Sequence, residues 1–332
     1  ENIATKSLTP NFFLISNSEL SFVLIFAMQI LAGHPQQVYY QCLILFLYSA
    51  FLSLKYKSNN SRFYIISKIS GLILLAALLC AAQLLPTLNF STNAVRPLTA
   101  GIEISQQYST SINHLLQTIF PFFWGNSLSN NFSLASFEDY SQVLTFSVIA
   151  ILIIGIVFIN NREILFWYGI IIIFTLLASG QYLPFYKLVY NYIPGFKLFR
   201  APIRLFSIVL FAASINCGLI LNEVSRTNFK NSKTKNILIA IIFAWLILIF
   251  SFNFLFKPII VNLSKIKSNA SIIINLKKIF ISNFLLEYTA NQIFFHSIFA
   301  IITFCAILFY ILKKQKIILS IVVLIATIEL LY

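Results

Sequence analysis

The sequence predicts an all-α protein, a polytopic transmembrane helix bundle of about nine spans. Hydrophobic residues make up 59% of the 332 residues, charged residues make up 10%, and the mean hydropathy is +0.88. A soluble protein is about 25% charged, so this chain has too few polar side chains to cover a water-facing surface. Its apolar residues also come in runs of about 20, the length that crosses a bilayer core. These observations exclude cytosolic enzymes, nucleic-acid readers, disulfide-bonded secreted modules and disordered proteins.

The predicted spans are the apolar runs that end at charged or turn-forming residues. The first is the least apolar, because Asn17, Ser18 and Glu19 interrupt it. We expect a single integral-membrane domain over 1–332, with spans at 12–33, 38–54, 63–86, 142–159, 164–179, 204–221, 237–256, 293–312 and 317–331.

The basic residues indicate how these spans are oriented. The net charge is +14, from 23 Lys and Arg against 9 Asp and Glu, and in a membrane protein cytoplasmic loops collect such charge, so no nucleic-acid partner is needed to explain it. The N-terminus is therefore expected in the cytoplasm, and Tyr332 outside. This orientation places the short basic loops 55–62, 160–163, 222–236 and 313–316 inside, and the long loops 87–141, 180–203 and 257–292 outside.

The long outer loops are expected to carry short interfacial helices. Residues 113–125 are amphipathic and rich in aromatic side chains, which is typical of a helix in the headgroup region. A purely structural lid is the alternative interpretation of this loop.

Motifs for soluble chemistry and for cofactor binding are missing from the sequence. The chain has no GxxxxGK[ST], GxGxxG, HExxH, GxSxG or Asp-x-Asp motif, and its three histidines lie far apart. The four cysteines fall inside apolar runs without CxxC spacing, so we interpret them as small buried hydrophobic residues. We therefore expect no cofactor. Glu138 and Asp139 are weak candidates for a divalent cation, since adjacent acids in a loop are usually only solvated.

The first polar motif is the turn Gly33-His34-Pro35-Gln36-Gln37 between spans one and two. Gly33 and Pro35 account for the chain reversal. His34, Gln36 and Gln37 add hydrogen-bonding groups at the outer surface, where they are candidates for substrate binding. A helix hairpin with polar caps is the alternative.

The second motif, Gln83-Leu84-Leu85-Pro86, lies at the outer end of span three and is followed by Arg96 in the first long loop. Gln83 is an amide within an apolar run, where it favours a partner over lipid. Arg96 is suited to an anion, although an arginine also extends to lipid phosphate. Both residues are candidates for substrate binding.

The third and strongest motif runs from Pro194 to Arg204 and leads into span six. Arg200 and Arg204 are four residues apart with Pro202 between them, so a helix there would carry both guanidinium groups on one face. Arginine forks suit phosphate oxygens. The sequence thus favours a phosphate site on the outer side, with headgroup anchoring as the alternative.

These motifs, in this order, resemble the bacterial YfhO family of membrane proteins, which is related to GT-C glycosyltransferases. The resemblance is carried by Leu31-Ala-Gly-His-Pro-Gln36, Gln83-Leu-Leu-Pro86, Phe120-Pro-Phe-Phe-Trp-Gly125 and Pro194-Gly-Phe-Lys-Leu-Phe-Arg-Ala-Pro-Ile-Arg204. It covers most of the chain and implies a GT-C-like fold in the bacterial cytoplasmic (inner) membrane.

The resemblance implies an enzyme that transfers a sugar from a polyprenyl-phosphate donor to a cell-envelope glycan acceptor on the outer face of the lipid bilayer. The family's catalytic carboxylate lies in an outer loop that precedes the first motif. We therefore expect this chain, which begins at Glu1, to be a fragment that lacks the N-terminal part and a C-terminal outer region. A transporter or flippase of lipid-linked sugars and a non-catalytic envelope-assembly scaffold are the alternatives.

Overall fold

The computed structural model describes residues 16–54, 59–92, 101–110, 144–227, 233–251, 297–311 and 317–331. These residues are mostly helical and none of them forms a strand, so the all-α class is confirmed for this part of the chain. Twelve α-helices lie within it: α1 Asn17–Leu31, α2 Pro35–Leu54, α3 Asn59–Leu79, α4 Ala81–Thr92, α5 Ile102–Ser105, α6 Phe146–Gly155, α7 Arg162–Ala178, α8 Phe185–Tyr192, α9 Phe206–Arg226, α10 Lys233–Ser251, α11 Ser297–Ile311 and α12 Ile317–Leu331.

The chain contacts divide the molecule into two compact units. Unit 1 comprises Glu1–Ser105 with Leu188–Arg200, and unit 2 comprises Gln106–Lys187 with Ala201–Tyr332. The single integral-membrane domain expected over 1–332 stays a prediction.

In unit 1, α1 and α3 run parallel to each other. The side chain of Ser16 caps α1 by accepting from the Glu19 N–H, and the Glu19 carboxylate in turn accepts from the Ser16 N–H. Glu19 also forms an ion pair with Lys68 of α3 at 2.5 Å. Further along both helices, the Cys80 thiol donates to the carbonyl of Ala27 at 3.3 Å. The two contacts follow each other in the same order along both helices, which defines the parallel packing.

The segment predicted as one span over 63–86 consists of two helices. α3 ends at Leu79, α4 begins at Ala81, and the two helix axes meet at 78°. Cys80 occupies the bend and is buried in a core with Val23, Phe26, Ala27 and Ala76. The bend therefore lies where α3 is held against α1.

Small residues are buried within the helix bundle of unit 2. Ala150 of α6 and both Ala212 and Ala213 of α9 are fully buried. At Gly155, an added Cβ would collide with the side chains of Ile220 and Tyr168, so these side chains would have to shift to accept a larger residue. Small residues at helix contacts are typical of membrane bundles.

Polar contacts join the helices at one end of this bundle. Asn161 caps α7 by accepting from the Glu163 N–H, and its amide donates to the Glu223 carboxylate at 2.8 Å. The Tyr310 hydroxyl donates to the carbonyl of Ser225 at 3.1 Å. The end of α9 is thereby fixed to the start of α7 and the end of α11.

Two helices of the described part are long and apolar enough to cross a membrane, Pro35–Leu54 and Pro202–Arg226. The bent pair Phe63–Leu79 and Ala81–Phe90 would make a third if it is one span. Other apolar helices are shorter, such as α1, whose 15 residues extend about 22 Å and so cover only part of a bilayer core of about 30 Å. Nine spans and a GT-C-like arrangement therefore remain predictions.

Candidate functional site

The first and third sequence motifs come together within unit 1. The segment Pro194–Arg200 lies against the first turns of α2. The Tyr39 hydroxyl donates to the carbonyl of Pro194 at 2.7 Å, and the Gln36 amide donates to the carbonyl of Arg200 at 2.5 Å. Gln36 also donates to the Tyr40 hydroxyl at 2.7 Å and is 4% exposed. These bonds fix both ends of the segment to one helix.

Aromatic side chains fill the contact between this segment and α2. The rings of Tyr39 and Phe199 have centroids 5.1 Å apart, and those of Tyr40 and Phe196 lie 6.4 Å apart. Gly195 has φ +83°, the left-handed conformation that glycine adopts most easily, and an added Cβ would lie 3.1 Å from the Tyr39 ring. The turn therefore needs glycine both for its backbone conformation and for close packing.

The helical spacing expected for Arg200 and Arg204 does not hold. Arg200 precedes the helix in a non-helical stretch, and Ala201, with φ +61°, separates it from the 3₁₀ turn Pro202–Leu205 that contains Arg204. Helix geometry therefore no longer places the two guanidinium groups on one face. Arg200 belongs to unit 1 and Arg204 to unit 2.

The Arg200 side chain is half-buried. Among the residues that the structure describes, its guanidinium has no hydrogen-bond or ion-pair partner. A partly desolvated guanidinium favours an anion, since its charge is screened less than in water. Arg200 is therefore the strongest candidate ligand for a phosphate in unit 1.

Arg204 is half-buried in unit 2 and lies in the 3₁₀ turn Pro202–Leu205. Its carbonyl accepts from the Ser207 hydroxyl at 2.8 Å, and the N–H of Ile203 donates to the carbonyl of Tyr108 at 3.3 Å. The turn leads directly into α9.

The other sequence candidates differ in their surroundings. His34 is exposed and Gln37 is half-buried, both at the end of unit 1 where α2 begins. Gln83 is exposed in the first turn of α4. Arg96 lies outside the described residues, as do Glu138 and Asp139 and the predicted interfacial helix at 113–125. In the part of the chain that the structure describes, no group of three or more His, Cys, Asp or Glu side chains is arranged to hold a metal ion.

Glu329 is the polar residue whose position the sequence did not reveal. Glu329 lies within the span predicted at 317–331 and is 2% exposed. Its two carboxylate oxygens accept from the N–H groups of Phe146 and Ser147, each at 3.0 Å. These are the first two N–H groups of α6, which have no acceptor within their own helix. The only indication of these bonds in the sequence is that Glu329 is a carboxylate within an apolar run, where a charged group favours a buried hydrogen-bond partner.

Hydroxyl groups complete this end of unit 2. The Thr145 side chain accepts from the N–H of Val148 at 3.3 Å, and the Thr303 hydroxyl donates to Ser147 at 2.9 Å. The start of α6 is thus fixed to α11 and α12. The bonding pattern assigns Glu329 a role in joining helices.

Asn216 of α9 is fully buried, and its amide has no hydrogen-bond partner among the described residues. The Thr110 hydroxyl is likewise buried without one in that part of the chain. An unpaired buried amide is costly, so Asn216 is a second polar group that packing alone does not explain.

No protein-family model, no curated protein and no solved structure matches this chain. The resemblance to the YfhO family therefore rests on the sequence motifs alone.

Proposed function

We propose that the chain is the membrane-embedded part of a glycosyltransferase that moves a sugar from a polyprenyl-phosphate donor to a cell-envelope glycan acceptor at the outer face of a bacterial inner membrane. The observation that carries the proposal is the docking of Pro194–Arg200 on the start of α2, with the Arg200 main chain fixed by Gln36. Family resemblance supplies the reaction, and this geometry supplies a candidate phosphate ligand.

In this proposal, Arg200 binds the donor phosphate. Its guanidinium offers a planar set of donors that matches phosphate oxygens, and its half-burial strengthens the attraction. A positive charge at this position stabilises the phosphate as the bond to the sugar breaks. Because Gln36 fixes the Arg200 backbone, the guanidinium has fewer positions to sample before the phosphate binds.

The two polar motifs then have different roles. The buried Gln36 and the Tyr39 hydroxyl position the segment, since both donate to its backbone carbonyls. His34 and Gln37 flank Gln36 at the same end of α2, where they are suited to binding sugar hydroxyls or phosphate oxygens. Further along α2, Phe46 and Leu54 are exposed apolar side chains against which a polyprenyl chain would pack.

Binding of polyprenyl phosphate without a sugar tests the phosphate role. The purified protein in detergent is titrated with this lipid, and the complex is quantified by native mass spectrometry. One charge-assisted interaction contributes about 1.5 to 3 kcal/mol, so Arg200→Ala should weaken binding about 10- to 100-fold. Arg200→Lys keeps the charge and loses the forked donors of the guanidinium, so its lipid affinity should lie between those of the wild type and Arg200→Ala.

Arg226→Ala is the matched control, because Arg226 is exposed in the last turn of α9 and belongs to unit 2. It should bind the lipid as the wild type does. Equal binding by wild type and Arg200→Ala would refute the phosphate role. Sugar transfer from polyprenyl-phosphate glucose to a glycan acceptor, detected by mass spectrometry, tests the reaction itself.

A transporter of lipid-linked sugars is the second candidate, and Asn216 is the observation that favours it. A buried amide without a described partner, in a helix long enough to cross a membrane, is expected along a path for a polar substrate. Lipid binding without any product, together with donor movement across proteoliposome membranes that Asn216→Leu abolishes, would select this function.

A further inference from the structure

The helix α4, which follows the bend at Cys80, is too short and too strongly bent away from α3 to form one straight membrane span with it. Its 12 residues extend about 18 Å. At 78° from α3, it advances only about 4 Å along the α3 axis. A helix in this direction neither continues α3 across a bilayer nor folds back alongside it.

The bend lies close to the end of unit 1 where α1 stops and α2 starts. The Cys80 thiol contacts the carbonyl of Ala27, four residues before α1 ends at Leu31. Four helical residues span about 6 Å, so α4 leaves α3 near the level of the turn that carries His34. The same turn is exposed, as expected for a surface of the bundle.

The first two turns of α4 divide into two faces. Leu85 and Leu88, three residues apart, are 66% and 62% exposed and share one face. Gln83 and Thr87, four residues apart, are exposed on the opposite side. Leu78 and Leu79, at the end of α3, are also exposed apolar side chains.

Pro86 gives a separate reason to place α4 at the membrane–water interface. It lacks the N–H that an α-helix directs at the carbonyl four residues earlier, which is that of Ala82. A backbone carbonyl without that donor is costly in hydrocarbon and inexpensive where water is present. Ala82 is exposed, so the free-energy cost of its unpaired carbonyl depends on whether water or hydrocarbon surrounds α4.

We infer that α4 is an interfacial helix that lies along the membrane surface, with Leu85 and Leu88 in the acyl boundary and Gln83 and Thr87 toward the headgroups. Its partner is a lipid surface without net charge, because residues 81–92 carry no charged side chain that would attract anionic headgroups. The inference concerns the membrane position of α4 and does not depend on the proposed transferase.

Depth measurements with a spin label test this inference. A p-azidophenylalanine replaces Gln83, Leu85, Thr87 or Leu88, one position at a time, and carries a nitroxide after coupling, so that the native cysteines stay in place. The protein is placed in phosphatidylcholine nanodiscs, and the accessibility of each label to oxygen and to a water-soluble nickel complex gives its depth.

The expected result is a face-dependent pattern at nearly constant depth. Labels at 85 and 88 should favour oxygen and labels at 83 and 87 the nickel complex, and the helix axis should change depth by only about 1.6 Å between 83 and 88. A label at Leu74 of α3, which is also exposed, is the internal control. It lies about 9 Å along α3 from the bend at Cys80, so it should be clearly deeper than the four labels on α4. Adding anionic lipid should leave the pattern unchanged.

Two results would overturn the inference. A steady depth change of about 7.5 Å between positions 83 and 88 would place α4 across the membrane as part of a broken span. Access of the nickel complex to all four positions, with Leu74 still in lipid, would place α4 in water.

Discussion

Replacing Glu329 by alanine tests how the helices of unit 2 are joined. The carboxylate is buried and accepts from the N–H groups of Phe146 and Ser147, so Glu329→Ala leaves two helix-terminal donors without their acceptor. Each buried group that loses its partner costs about 1 to 3 kcal/mol, so the pair costs about 4 kcal/mol. Glu329→Gln keeps one acceptor oxygen and should cost about half as much.

This free energy corresponds to a measurable change in Tm. An unfolding entropy of about 2.1 cal/mol/K per residue gives about 0.7 kcal/mol/K for 332 residues, so 4 kcal/mol lowers Tm by about 6 °C. Unfolding in detergent is followed with a thiol-reactive dye, because Cys80 and Cys217 are buried and react only after the helices separate. Cys305, which the sequence analysis expected to be buried, is exposed and supplies the starting signal.

Thr327→Ala is the matched control on the same helix. Thr327 is exposed, and its hydroxyl donates within α12 to the carbonyl of Val323, so its loss should change stability by at most about 0.5 kcal/mol. Hydrogen exchange at Phe146 and Ser147 gives the local measurement, and both amides should exchange at least tenfold faster in Glu329→Ala. If Glu329→Ala and Thr327→Ala have the same Tm and both amides exchange as in the wild type, the bidentate bond does not join these helices.

Three further changes test unit 1, each by its effect on Tm in the same assay. Gly195→Ala should destabilise by about 1 to 2 kcal/mol, because alanine is strained at φ +83° and its Cβ would press on the Tyr39 ring, whereas Gly71→Ala, in open space within α3, should be neutral or stabilising by up to about 1 kcal/mol. Gln36→Ala should cost about 1 to 3 kcal/mol, since the Arg200 carbonyl and Tyr40 hydroxyl lose its amide, and should speed proteolysis within 194–200. Glu19→Gln should cost about 1 kcal/mol at low salt and less at high salt, since it removes the ion pair with Lys68.

Each of these predictions has an opposing result. Equal Tm values for Gly195→Ala and Gly71→Ala would refute the tight turn. Unchanged proteolysis in Gln36→Ala would separate the amide from the position of the segment. A cost for Glu19→Gln that does not vary with salt would assign its effect to the helix cap.

Much of the fold could be predicted from local sequence patterns. The spans expected at 38–54 and 204–221 correspond to α2, which begins at Pro35, and to a helix that runs over Pro202–Arg226. Run length and turn residues determine such segments, because each helix satisfies its own backbone hydrogen bonds. The bend at Cys80 was not predicted, since the apolar run continues through it and the fixed point is a contact with Ala27, 53 residues away.

The candidate site was predicted only in part. The sequence indicated Gln36 and Arg200 as separate substrate contacts, whereas the structure uses the Gln36 amide to hold the Arg200 backbone across 164 residues. The sequence analysis also assumed a helix through Arg200, which the left-handed backbone conformation of Ala201 prevents. Neither feature has a local signature.

The sequence alone determined that this is a helical protein rich in apolar segments, and it located most of the helices. Composition and run length are sufficient for that, because the transfer of apolar surface from water and the backbone bonds of a helix depend on nearby residues. Only the tertiary structure decided what the few polar groups do. Glu329 bonds to backbone groups 183 and 182 residues away, and Gln36 to one 164 residues away. A hydrogen bond forms between whichever groups packing brings within about 3 Å, and packing depends on the whole chain.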